Sequence, residues 1–264
     1  MISDPQIDIN NAKLDEELEV LRNCFINMDV DAVAVCGDIT ENALPQEMDI
    51  FFDTFKQHCL TQNLFVVPGN MDGVYDIDTQ NVYLEALERF SDKKHVTLYF
   101  CQETDTCILI GISPEPVHGR TITDAQLDFL GNAMHKASLR RIPALIFCHF
   151  QLSDTLNVNW EYASLGSDTI KVKPILEKYS GKVIYFSGHI HRGFISKIGG
   201  SVITKGNVTY VSTPSICQPD TIHYNADNDS LGTGYIVDIR GESINIKGFD
   251  FLRNEWLSPF NWTI

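Results

Sequence analysis

Val33-Ala34-Val35-Cys36-Gly37-Asp38-Ile39-Thr40-Glu41 is the stretch on which the fold turns. A short apolar run rich in Val stops at a glycine and an aspartate, which reads as a buried strand releasing a carboxylate at its C-terminal end. The same grammar recurs along the chain. The run Leu64-Phe65-Val66-Val67 stops at Pro68-Gly69-Asn70-Met71-Asp72, Ala144-Leu145-Ile146-Phe147-Cys148 precedes His149, and a strand over 183–186 precedes Gly188-His189-Ile190-His191. Asp4-Pro5-Gln6 opens the chain. Each polar group thus falls just after a strand, where open α/β sheets gather their ligands because strand ends converge and loops are free to vary.

Helical periodicity fills the intervals. Leu14, Leu18, Leu21 and Phe25 mark one helix, Met48, Phe51, Phe52 and Phe55 a second, and Val82, Tyr83, Leu87 and Phe90 a third. Thr123-x-x-Gln126 reads as a capping box opening a helix striped by Leu127, Leu130 and Met134. Strands are expected near 97–100 and 106–110. From about residue 194 the pattern changes to short strands and turns, at 194–198, 201–204, 208–211, 235–239 and 243–249. This order predicts one domain over 1–264, with two facing sheets, at least one largely parallel, and helices outside. The tail Phe251-Leu252, Trp256-Leu257, Pro259-Phe260-Asn261-Trp262 suits either a partner or homo-oligomer surface or a segment closing over its own core.

Composition bounds the function. At 264 residues and 44% hydrophobic the chain can bury a large core. A net charge of −15 argues against a nucleic-acid polymer or an anionic membrane as partner, since counterion release needs clustered Lys and Arg. No apolar run approaches the ~20 residues of a spanning helix. The seven scattered cysteines, without a CxxC, read as reduced core thiols, so a reducing, cytoplasmic setting is expected. The acceptor-like triplets at Asn207, Asn228 and Asn261 carry no weight without a secretion signal.

Taken singly, each polar residue has an ordinary explanation: Asp38 as a helix cap, Asn70 as a turn residue, His149 as a core histidine. His189 and His191, two apart on a turn, are harder to dismiss. Carboxylate, amide and imidazole together form a ligand set for divalent cations, and two cations sharing a carboxylate suit attack on phosphorus.

The ordered motifs resemble the calcineurin-like metallophosphoesterase family, whose pattern is D-x-H, GDxx(D), GNH(D/E), H and GHxH. That resemblance implies a four-layer α/β/β/α sandwich of two mixed sheets. It implies two divalent ions (Mn, Fe or Zn), the first held by Asp4, Gln6, Asp38 and His191 and the second by Asp38, Asn70, His149 and His189. It further implies hydrolysis of a small phosphate ester, with Asp38, Asn70, His149 and Asp72 as the catalytic set. Two positions depart from the pattern. Gln6 stands where the family has His, predicting a weaker first site, and Met71 stands where the family has a His able to protonate a leaving group. Asp72 is then expected to lack its imidazole partner, with His118 and His223 as conceivable substitute acids. Only Met1-Ile2-Ser3 precede Asp4, so a clipped first strand and an Asp4 near a mobile end are expected, with the native start upstream or the first site loosened. The stretch 119–130 and the stretch 211–218 are similar to segments of class III cyclic-nucleotide phosphodiesterases. A phosphodiesterase is the leading expectation, a catalytically degenerate scaffold of the same fold the alternative. A protein Ser/Thr phosphatase has no specific support.

Overall fold

The computed structural model describes residues 1–91, 96–116, 121–156, 164–191, 202–217 and 231–264. The expected strand at 194–198, His118, His223, Gly119, Arg120 and Gln218 lie outside them.

The chain runs α1 (Leu14–Ile26), β1 (Val33–Cys36), α2 (Pro45–His58), β2 (Leu64–Val67), α3 (Ile77–Ser91), β3 (Phe100–Glu103) and β4 (Ile108–Gly111). It continues through α4 (Asp124–Arg140), β5 (Ala144–Phe147), α5 (Thr169–Glu177), β6 (Val183–Ser187), β7 (Val202–Lys205), β8 (Val208–Ser212), β9 (Thr233–Arg240), β10 (Ser243–Asp250) and β11 (Glu255–Thr263). A six-stranded sheet has the order β3-β4-β5-β6-β8-β7. Its four central strands are parallel and its two edge strands antiparallel. The other sheet layer holds the parallel pair β1-β2 and the antiparallel ribbon β9-β10-β11. Residues 1–3 thread between these two parts. Ile2 donates to the Ala34 carbonyl (3.1 Å) and accepts from Cys36 N (3.0 Å), while Met1 O accepts from Tyr235 N (2.9 Å).

Side-chain alternation along the strands creates three cores, the signature of four layers. On β1, Val33 and Val35 pack with α1 and α2, while Ala34 and Cys36 face the other sheet. On β5, Ala144 and Ile146 pack with α4, while Leu145 and Phe147 enter the inter-sheet core. β4 and β6 divide their residues the same way. Under the first sheet layer, Phe25 of α1 meets Phe51 and Phe55 of α2 edge-on, with ring centroids 6.1 and 5.3 Å apart. This is an α/β fold of mixed sheets covered by helices.

Two local expectations are amended, and two segments take a structure the sequence did not name. The strand expected at 97–100 begins only at Phe100, because Phe100–Glu103 are the residues that pair with β4. In the capping box Thr123 does accept from Gln126 N (3.4 Å), but the Gln126 side chain turns away to bind Ser113 and Glu115. Helix α5 had no legible stripe, being nine residues long with Pro174 inside. The aromatic tail is β11, an edge strand paired with β10; Leu257, Phe260 and Trp262 pack on the inter-sheet core, with Trp262 edge-on to Tyr235. Among the described residues no helix is long and apolar enough to cross a membrane. All seven cysteines are free, and six are buried.

Candidate metal centre

The loops after β1, β2, β5 and β6 meet the N-terminal segment at one point. Their backbones approach so closely that side chains are excluded at two positions. A Cβ on Gly69 would overlap the Asp38 carboxylate, and one on Gly188 would overlap Ser3 Oγ and the Asp4 carboxylate. Around this point Asp4, Gln6, Asp38, His189 and His191 all take left-handed backbone, with φ of 48°, 45°, 49°, 70° and 47°. For residues with a Cβ each such conformation costs about 1–2 kcal/mol, and it persists only where surrounding contacts impose it. Strain concentrated on five of the seven expected ligands is a property of the site, not of the strands that feed it.

His149, fully buried at the end of β5, organises one half. Its Nδ1 lies 2.7 Å from the Cys36 carbonyl, which can only accept, so Nδ1 carries the proton and Nε2 points into the site. Within hydrogen-bond distance of Nε2 lie Asp38 Oδ2 (3.1 Å), Asn70 Oδ1 (3.0 Å) and His189 Nδ1 (3.1 Å). With Nε2 unprotonated, this nitrogen and the Asp38 and Asn70 oxygens put three lone pairs at one spot, and a positive charge there, whether a proton on Nε2 or a cation, relieves their repulsion. Burial disfavours charging His149, yet Asp38 prevails and lifts its pKa to about 9.

The other half is built on Asp4, which is also fully buried. Both of its carboxylate oxygens accept from His189 N at 3.2 Å, and His191 Nε2 lies 3.4 Å from Oδ1. Burial alone would raise the Asp4 pKa; His191 and then His149 outweigh it and hold the carboxyl below its ordinary value. The ligand atoms of Asp4, Asp38 and His191 lie within 4.8 Å of one another, as do those of Asp38, His149 and His189. Asp38 belongs to both groups. Gln6 is buried next to them, and its backbone N–H donates to the Asp38 backbone carbonyl (2.9 Å). The first strand is short, yet Asp4 is not loose: Asp4 N donates to Gly37 O (3.0 Å) and Asp4 O accepts from Ser215 Oγ (2.8 Å).

Asn70–Val74 forms one wide helical turn after β2. Met71 contributes main chain rather than side chain: its N–H donates to Asp38 Oδ1 at 2.8 Å, steadying the shared carboxylate. Asp72 is not left without partners. It is fully buried and accepts four hydrogen bonds at 3.0 Å, from Ile39 N, Thr40 N, Thr40 Oγ1 and Gly69 N. Burial and then the Asp38 charge raise its pKa to about 7 against the pull of those donors. In this structure Asp72 clasps the Asp38 loop to the Asn70 loop. Three contributors were not legible in the sequence: the Cys36 carbonyl that orients His149, the Met71 N–H, and Ser3, whose Oγ donates to that same carbonyl (3.0 Å). No residue-type signal could reveal the first two, because they are main-chain groups.

Residues 1–193 match the family model for calcineurin-like phosphoesterases. The chain belongs to that family. Over 182 residues it is 23% identical to a probable glycerophosphodiester phosphodiesterase, GpdQ, of Arcobacter nitrofigilis; the match covers 66% of this chain and 63% of that relative's length. Among solved structures it is similar to a dimetal phosphatase from Danio rerio, with a TM-score of 0.68 at 13% identity over 100% of this chain and 96% of the other. It is also similar to GAP50, the anchor in the inner membrane complex of Plasmodium, with a TM-score of 0.61 at 11% identity over 100% and 86%. At such identities these structures speak to fold alone. The family ligand pattern fits the residues present in this chain. Converging lone pairs around Nε2 of His149, a carboxylate shared by two groups and a mixed oxygen–nitrogen donor set are what divalent ions of the Mn, Fe and Zn type require.

Proposed function

We propose that this phosphoesterase holds two divalent cations and hydrolyses a small phosphodiester with a good leaving group. The observation that carries the reading is Asp38, whose carboxylate belongs at once to the Asp4/His191 group and to the His149/His189 group. Asp4, Gln6, Asp38 and His191 would hold one ion, and Asp38, Asn70, His149 and His189 the other. When bound, such a pair supplies Lewis-acid charge beside phosphorus and lowers the pKa of water. The chain's own part is orientation. The Cys36 carbonyl fixes the His149 tautomer, Met71 N–H and the Asp72 clasp hold Asp38, and the Asp4 carboxylate is pinned by His189 N.

The phosphodiesterase relative supports the diester class, and the stretches 119–130 and 211–218 support the class III branch. Methionine at position 71 has no titratable proton to give a departing alkoxide. Aryl diesters, whose leaving groups depart without protonation, should therefore be cleaved much faster than alkyl diesters. The test measures metal content of the purified protein and Mn-dependent hydrolysis of bis(4-nitrophenyl) phosphate, with Asp38→Asn as control and Met71→His as the gain variant. About two metals per chain, activity lost in Asp38→Asn, and alkyl-ester activity raised by Met71→His support the reading. Equal rates on aryl and alkyl esters in the unaltered protein would overturn the leaving-group argument. A protein that binds one ion or none and turns nothing over would be a scaffold of this fold.

A further inference from the structure

Gln151 is a polar side chain near the metal centre that neither the ligand sets nor the Asp72 clasp uses. It is 2% exposed, and its Oε1 has no hydrogen-bond partner among the described residues. An unpaired buried polar group destabilises a fold, so its retention calls for a use. Cys148, Phe150 and Leu152 join the core that β5 forms with α4. Leu145 and Phe147 face the other sheet layer, and so does His149, which reaches the Cys36 carbonyl of β1. Gln151, between Phe150 and Leu152, therefore takes the side of His149. The chain is still strand-like there: Gln151 bridges Ser164 in parallel, and its carbonyl accepts from Leu165 N (2.9 Å). Two strand residues span ~6–7 Å, so Gln151 stands about that far beyond His149, in the direction toward which strand-end sites open. Its burial matches that of the ligands, Asp38 at 1% and His149 at 0%, so its partner is a group that enters the site.

The chemistry of the amide narrows the partner. Around phosphorus a diester offers only acceptor oxygens, which the cations of the proposed centre would face. The esterified alcohols are the part of such a substrate that can carry a donor. A hydroxyl gives one hydrogen bond and accepts another, so it satisfies the Gln151 amide in either orientation. We propose that Gln151 binds a hydroxyl on one of the substrate's two alcohol groups, and so selects hydroxyl-bearing phosphodiesters over their deoxy analogues. A site that holds a hydroxyl rejects the analogue lacking it, because its own buried group is then left unpaired. This specificity presupposes the phosphodiesterase activity proposed above and narrows its substrate class.

The test uses the full chain with Mn and two probes that differ by one oxygen, 4-nitrophenyl 3-hydroxypropyl phosphate and 4-nitrophenyl propyl phosphate. The unaltered protein should show a KM about five- to tenfold lower for the hydroxypropyl ester, with a similar kcat. Gln151→Met keeps the length of the side chain without its polar atoms, and Gln151→Leu is a second variant should the first fail to fold. In either one the two KM values should become equal, and Tm should not fall. Equal KM values in the unaltered protein, or a preference that survives both substitutions, overturn the proposal. A fall in Tm of more than about 3 °C in both variants also overturns it, since the amide is then paired inside the fold. If the unaltered protein hydrolyses neither ester, the phosphodiesterase reading fails, and the rise in Tm with each ester at saturating Mn decides the role of Gln151. A larger rise with the hydroxypropyl ester, lost in both variants, supports that role; equal rises or none overturn it.

Discussion

Replacing Asp72 separates a clasp from a catalytic acid, because the two roles predict opposite pairs of results. Its Oδ1 accepts from Thr40 N and Thr40 Oγ1, and its Oδ2 from Ile39 N and Gly69 N, all at 3.0 Å in a fully buried setting. In Asp72→Asn one oxygen becomes an NH2 group facing two donors. With the NH2 toward Ile39 N and Gly69 N two hydrogen bonds are lost; with it toward Thr40 the hydroxyl can turn to accept, and one buried backbone N–H is left unpaired. At roughly 1–3 kcal/mol per unpaired buried donor, the cost is at least about 1–3 kcal/mol. For a chain of this size that corresponds to a fall in Tm of ~3–10 °C. Asp72→Ala should cost as much or more. Thr40→Val removes one donor and should cost about 1 kcal/mol. Since Thr40 and Asp72 share a bond, the double variant should fall short of the sum by ~0.5–1 kcal/mol or more. The assay is thermal and reversible urea unfolding followed by circular dichroism, run beside aryl-phosphodiester turnover at a temperature where all variants are folded. A Tm unchanged within about 1 °C, together with turnover reduced a hundredfold or more, would refute the clasp and restore Asp72 to a direct part in chemistry.

Two further outcomes follow from the same geometry. Gly69→Ala places a methyl group against the Asp38 carboxylate, so the variant should bind metal at least tenfold more weakly, while Gly131→Ala, where a Cβ meets open space, should bind as the parent does; equilibrium dialysis against Mn distinguishes them. Glu41 is half-buried, and its carboxyl pKa is raised, first by burial and then by Asp38 and Asp8. Because the folded state favours its protonated form, its ionisation opposes folding; that penalty is absent below the ordinary value of 4.5 and develops as pH rises through the raised one. Glu41→Gln should therefore raise the Tm of metal-free protein at neutral pH and leave it unchanged at pH 4, and an equal Tm at both pH values would contradict this.

Much of the architecture was legible because period and punctuation are local properties. Val33–Cys36 stops at Gly37-Asp38 and Val183–Ser187 at Gly188-His189, so an apolar run ended by a glycine marks both a strand and the loop that leaves it. The phenylalanines of α2 sit at helical spacing and are all buried. Segments without a local signature escaped: α5 is short and carries Pro174, and β11 owes its strand conformation to pairing with β10 across a bulge. Its aromatic residues suited either a partner surface or a segment closing over the core, because nothing in the sequence names the ribbon they join.

The division at the metal centre has a physical cause. Residue types and spacing alone determined which side chains could be ligands, since carboxylate, amide and imidazole chemistry is carried by the residue wherever the chain places it. Only the folded chain decided how they are held. The left-handed backbone at Asp4, Asp38 and His189, the carbonyl of Cys36 against His149, the N–H of Met71 on Asp38 and the turning of Asp72 inward all depend on main chain brought together from positions up to 185 residues apart. Every residue carries the same N–H and C=O, so a sequence does not mark which of these groups will serve a site. Packing of β1, β2, β5 and β6 side by side makes that selection.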